Sequence, residues 1–99
     1  MLKSDPRICA VVVTFNPEID VVERELQSVG AQVDALVVID NGSTMDIVNW
    51  LRGKREEEGL EVVFLNENRG VAAAQNAGIR WARERAFTHV LILDHDSVP

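Results

Sequence analysis

Four short apolar runs alternate with three segments of helical periodicity, and this alternation restricts the chain to a parallel α/β sheet. Ile8 to Phe15 reads Ile-Cys-Ala-Val-Val-Val-Thr-Phe, and Asp34 to Asp40 encloses Ala-Leu-Val-Val-Ile. Leu60 to Leu65 is the third run, and Val90 to Leu93 the fourth. Apolar runs of this length, without a polar alternation, mark strands buried on both faces. Between them, Ile19, Val22, Leu26 and Val29 recur at helical spacing. Asn16-Pro17 suits the N-cap and first position of that helix, and Gly30 its stop. Ser43 and Asp46 have the spacing of a capping box. Ile47, Trp50 and Leu51 share a face behind them, and the helix is expected to dissolve in the solvent-facing charged run Lys54 to Glu58, before Gly59. The third helix, Val71 to about Arg85, lines up Ala74, Gly78 and Trp81, small residues that permit close packing on a sheet.

The order β-α-β-α-β-α-β implies right-handed crossovers between parallel strands. The expected fold is a Rossmann-like sheet of strand order 3-2-1-4, whose winding reverses between the first and fourth strands. Ligands of such sheets bind outside the carboxyl ends of the strands, at that reversal. The polar residues follow this geometry. The four strand ends carry Thr14-Phe15-Asn16, Asp40-Asn41-Gly42-Ser43, Asn68-Arg69-Gly70 and Asp94-His95-Asp96. The opposite loops, around Gly30, Gly59 and Ala86, read as plain connectors. Helix N-termini expected at Asn16, Ser43 and Gly70 favour an anionic ligand at the polar edge.

Each polar group has a chemistry that suits it. Asp40 can accept hydrogen bonds from a base N–H or a ribose hydroxyl. Asp94 and Asp96, spaced i, i+2, suit a hard divalent ion such as Mg2+ or Mn2+ that bridges a diphosphate; an isolated Asp-x-Asp also occurs as a simple acidic turn. Arg69 can pair with phosphate or touch the base. Gln75 and Asn76 stand one turn into the third helix, where they either reach the ligand or cap and pack. His89 reads as a structural or surface residue.

With 99 residues the chain is one domain or part of one. Ten basic against 16 acidic residues give a net charge of −6, which argues against a nucleic-acid partner. Arg80, Arg83 and Arg85 are interrupted by Glu84 and read as a solvated helix face. The single cysteine, Cys9, has no internal disulfide partner and reads as a buried thiol in a reducing compartment. No apolar stretch approaches the ~20 residues of a membrane span, and the first residues lack a signal-peptide core. The expected location is the cytoplasm.

Four ordered motifs carry a family resemblance: Val12-Val13-Thr14-Phe15-Asn16, Ile39-Asp40-Asn41-Gly42-Ser43, Asn68-Arg69-Gly70 with Asn76-Ala77-Gly78, and Leu93-Asp94-His95-Asp96-Ser97. Together they resemble the family 2 inverting glycosyltransferases, and within them the bacterial rhamnosyltransferases. The resemblance implies a GT-A fold, a nucleoside-diphosphate sugar donor (dTDP-rhamnose or a UDP-sugar) and a divalent metal. By position it assigns Asp40 to the nucleobase, Thr14 and Phe15 to the nucleoside pocket, and Asp94 and Asp96 to metal and ribose. Asn16, Asn41, Arg69, Gly70 and Asn76 complete the expected donor site. The family's acceptor-binding half and its general base follow the Asp-x-Asp motif. Residues 1–99 are therefore expected to be the nucleotide-sugar-binding N-terminal portion, inactive alone and serving cell-surface polysaccharide synthesis, peripheral to the inner membrane in the full enzyme. The outer edge of the fourth strand is expected to self-associate.

Leu91 to Ser97 also resembles the first motif of haloacid-dehalogenase-type phosphatases, although there that motif opens the domain. A sugar nucleotidyltransferase would carry a Gly-rich, basic loop after its first strand, and Thr14 to Glu18 holds neither feature. A non-catalytic nucleotide-binding module is the remaining alternative.

Overall fold

The computed structural model describes residues 7–94. Strands β1 (Ile8–Thr14), β2 (Ala35–Asp40), β3 (Glu61–Phe64) and β4 (His89–Asp94) alternate with helices α1 (Ile19–Gly30), α2 (Met45–Glu58) and α3 (Val71–Glu84). All pairings are parallel and the strand order is β3-β2-β1-β4, as the alternation predicts. Thr14 stands opposite Asp40, Asp40 opposite Phe64, and Val13 opposite Asp94. The strands therefore finish level, and their polar ends share one edge.

Side-chain alternation along the central strands divides the core into two layers. Cys9, Val11, Val13, Val37 and Ile39 face α3 through Ala74 and Ala82. Val12 and Val38 face α1 and α2 through Val22, Leu26, Ile47 and Leu51. Burying a Val, Leu or Ile side chain contributes about 1.5–3 kcal/mol, so both faces of β1 and β2 hold the fold. The small residues of α3 have the expected use. A Cβ on Gly78 would lie 2.2 Å from Val11 Cγ1, so the helix backbone rests directly on the sheet.

The helix ends depart from the local sequence rules. Helix α1 starts at Ile19 behind Glu18, not behind Asn16-Pro17, and no side chain caps it. Asn16 instead takes a left-handed conformation, φ 46°, and turns toward the next loop. Gly30 is the last helical residue, and the cap is Ala31 in a right-handed conformation. Thr44 rather than Ser43 stands at the N-cap position of helix α2; its side chain caps no backbone N–H, and its hydroxyl donates to the Asp46 carboxylate. That bond holds the Asp46 carboxyl below the usual carboxylate range. The charged run does not dissolve α2, which continues to Glu58. Lys54, half-buried, pairs there with Glu23 of α1 at 2.6 Å and with Glu58 at 3.0 Å. Gly59 supplies the expected left-handed stop at φ 74°.

The opposite edge is not made of plain connectors. Arg7 Nη1 donates to the carbonyls of Arg85 and Ala86 at the end of α3. Its guanidinium lies 4.3 Å from the Phe87 ring centre, and Phe87 stacks near Trp81. Asp34 Oδ2 accepts the Ile8 N–H at 2.6 Å. These contacts join the starts of β1, β2 and β4. Arg80, Arg83, Arg85 and His89 are exposed, as expected.

Candidate functional site

Asp40 ends β2 with its side chain inside the protein, 1% exposed, beside the fully buried Thr14 at the end of β1. A buried carboxylate is costly unless its oxygens are satisfied. Thr14 Oγ1 donates to Asp40 Oδ1 at 2.8 Å, and Ser43 Oγ donates to the same oxygen at 2.7 Å. The Ser43 backbone N–H donates to Oδ2 at 3.0 Å. The residue expected to begin a capping box with Asp46 is thus committed to Asp40. The short turn after β2 brings Ser43 back over the strand end more closely than over the first turn of α2.

Asn16 closes the next layer of contacts. Its backbone N–H donates to Ser43 Oγ at 2.8 Å, and its side-chain Oδ1 accepts the Thr44 N–H at 2.8 Å. The loop after β1 is therefore clamped to the loop after β2 through both the backbone and the side chain of Asn16. The left-handed φ of Asn16, which Asn tolerates better than most residues, turns both groups the same way. Phe15, beside it, is 44% exposed at the rim of this edge.

Asn41 performs the same service toward the loop after β3. Buried to 3% exposure, it accepts the Arg69 N–H on Oδ1 at 2.9 Å and donates from Nδ2 to Asn68 Oδ1 at 3.3 Å. Asn68 Oδ1 also accepts the Gly70 N–H, at 2.9 Å, just ahead of α3. Gly42 lets the two loops meet. At φ +87°, a Cβ there would fall 2.5 Å from the Glu67 carbonyl carbon.

Thr14, Phe15, Asn16, Asp40, Asn41, Arg69 and Gly70 thus gather on one edge as predicted. Arg69 is the sole Lys or Arg in the loops that follow β1, β2 and β3. Its side chain is exposed and paired with Glu67 at 3.2 Å. Asn76 lies further along α3 on an exposed position. The backbone of Asp94 ends β4 beside Val13, next to Thr14. The Asp94 side chain and all of Asp96 lie outside the described residues. Among the described residues no group of three or more His, Cys, Asp or Glu is placed to hold a metal ion. Nor is any described helix long and apolar enough to cross a membrane. Sequence reasoning missed Ser43 and Asn68 as members of the network. The sequence places both at the polar strand ends, but it gives Ser43 only a capping role and Asn68 no role, because neither spacing reveals a partner across the sheet.

Residues 9–99 match the profile of glycosyl transferase family 2. The chain is 32% identical over 90 residues to a dTDP-rhamnosyl transferase, RfbF, of Shigella flexneri, covering 91% of this chain and 29% of that protein. It is 35% identical over 82 residues to the succinoglycan biosynthesis protein ExoU of Rhizobium meliloti (strain 1021), covering 80% of this chain and 24% of that protein. It spans less than a third of the length of either relative. A polar edge at the winding reversal of a 3-2-1-4 sheet, and a family profile that runs through all four strands, agree on one conclusion: the chain belongs to glycosyl transferase family 2.

Proposed function

We propose that these residues form the donor-binding portion of a glycosyltransferase that moves a sugar, rhamnose in the first reading, from a nucleoside-diphosphate carrier to a polysaccharide or lipid-linked acceptor. The observation that carries this is the clamping of the loops after β1 and β3 onto the turn after β2, which holds the buried Asp40 and Asn41, with Arg69 the one Lys or Arg in those loops. Asp40 takes a donor group of the nucleoside, and the exposed Phe15 ring offers a face for the base to stack on. Arg69 and the N-terminus of α3 meet the diphosphate. The rhamnosyl assignment rests on the relative named for that transfer. Family membership favours glycosyl transfer over the phosphatase reading.

The carboxylates of Asp94 and Asp96 suit Mg2+ or Mn2+, and a divalent ion held there would offset diphosphate charge. An inverting transfer also needs a base to deprotonate the acceptor hydroxyl. By the family resemblance, that base belongs to the acceptor-binding half, which follows the Asp-x-Asp motif.

Calorimetric titration of dTDP and UDP, with and without Mn2+, tests the reading. Binding of one nucleotide, tightened by the metal and weakened about tenfold by Arg69→Ala, is the expected result, the size being that of one charge-assisted contact. A folded chain that binds neither nucleotide overturns it.

A further inference from the structure

We infer that Asn41 is a positioning residue for the donor diphosphate: it acts without touching the ligand, by fixing the loop that carries Arg69 and leads into α3. The inference rests on the donor-binding reading and deepens it, since it names what orders the diphosphate end of that site. Asn41 is 3% exposed, so almost none of its surface can meet a ligand. Its amide is turned instead to the loop after β3.

That loop needs an anchor. The Leu65 N–H donates to the Asp40 carbonyl at 3.0 Å, which extends the β2–β3 ladder one residue past Phe64. Asn66 then turns away at φ 70°, and residues 66–70 are all exposed. Exposed backbone with few buried contacts opens locally at little cost. Asn41 takes over beyond the ladder. Its own N–H donates to the Thr14 carbonyl at 2.8 Å, so its backbone is tied to β1 and its side chain reaches the loop from a fixed base.

The direction of each bond follows from the backbone, because a peptide N–H can only donate. The Arg69 N–H meets Asn41 Oδ1 at 2.9 Å, and the Gly70 N–H meets Asn68 Oδ1, also at 2.9 Å. Asn41 Nδ2 donates to Asn68 Oδ1 at 3.3 Å and joins the two anchors. One connected pair of amides thus holds two consecutive N–H groups ahead of α3. The exposed Arg69 guanidinium is thereby carried on a backbone already in place. Ordering a loop during folding rather than on binding raises affinity, and this is the contribution assigned to Asn41.

The test is a double-mutant cycle: calorimetric titration of dTDP and UDP into the wild-type chain, Asn41→Ala, Arg69→Ala and the double variant, with thermal unfolding of each. Asn41→Ala and Arg69→Ala are each expected to weaken the bound nucleotide about tenfold, and the double variant about thirtyfold rather than about a hundredfold. The shortfall arises because Asn41 acts partly through Arg69. A merely structural role lowers the unfolding temperature and leaves the two losses to multiply in full. Asn68→Ala, at an exposed position, removes the same link from the other side. It should show the same shortfall with Arg69→Ala, and it serves if Asn41→Ala does not fold. A folded Asn41→Ala with wild-type affinity, or losses that multiply in full, overturns the inference while donor binding stands. A folded wild type that binds neither nucleotide overturns the donor-binding reading, and the inference with it.

Discussion

Thr14 and Asp40 are register partners at the last paired position of β1 and β2, and the Thr14 hydroxyl donates to the Asp40 carboxylate across that pair at 2.8 Å. The bond joins the two most protected polar side chains of the polar edge. Thr14→Val keeps the shape and removes the donor. Part of the buried carboxylate then loses its compensation, which costs about 1–3 kcal/mol. Urea unfolding should show a lower midpoint with an unchanged slope; an unchanged midpoint would mean that water replaces the hydroxyl without loss.

Two glycines in helices should respond to alanine in opposite directions. In α3, Gly78→Ala gains helix propensity worth about 1 kcal/mol. It also drives a methyl to 2.2 Å from Val11 Cγ1 in the centre of the core. Overpacking costs about 1–3 kcal/mol and prevails, because Val11 is fully buried and has nowhere to move. In α2, a Cβ on Gly53 meets nothing within 4 Å, so Gly53→Ala should stabilise by about 0.5–1 kcal/mol. Thermal unfolding of the two variants checks the pair.

The Lys54 ammonium is raised above its usual value of 10.5, first by its hydrogen bond to Glu23. Folding thus favours the charged form, and the contribution is complete below pH 10.5. It is lost as the pH rises through the higher folded value. Wild type should exceed Lys54→Met in stability by up to about 1 kcal/mol at neutral pH. The difference between them should shrink in urea titrations carried above pH 10.5.

Cys9 is fully buried in the layer under α3, and burial pushes its thiol up, against a smaller opposing pull from Arg85. A protonated, enclosed thiol is a poor nucleophile. Alkylation by iodoacetamide at neutral pH should be slow in the folded chain and complete in urea. Rapid labelling of the native protein would show that β1 opens locally.

The apolar alternation determined the architecture, because burial on a sheet or a helix face is periodic and so is written locally. The strand order, the two-layer core, the role of Gly78 and the gathering of Thr14, Asp40, Asn41 and Arg69 on one edge were all legible. Side-chain partners were not. The i, i+3 spacing joins Ser43 to Asp46, and Asn16-Pro17 has the composition of a helix start. In the fold Ser43 turns to Asp40 and Asn16 to Thr44. Nor does the sequence link Arg7 with Phe87, 80 positions apart. Polar side chains bond to whichever partner the strand register brings within 3 Å. The register brings the loop after β1 to the loop after β2, joining residues 28 positions apart, a proximity that only tertiary packing decides.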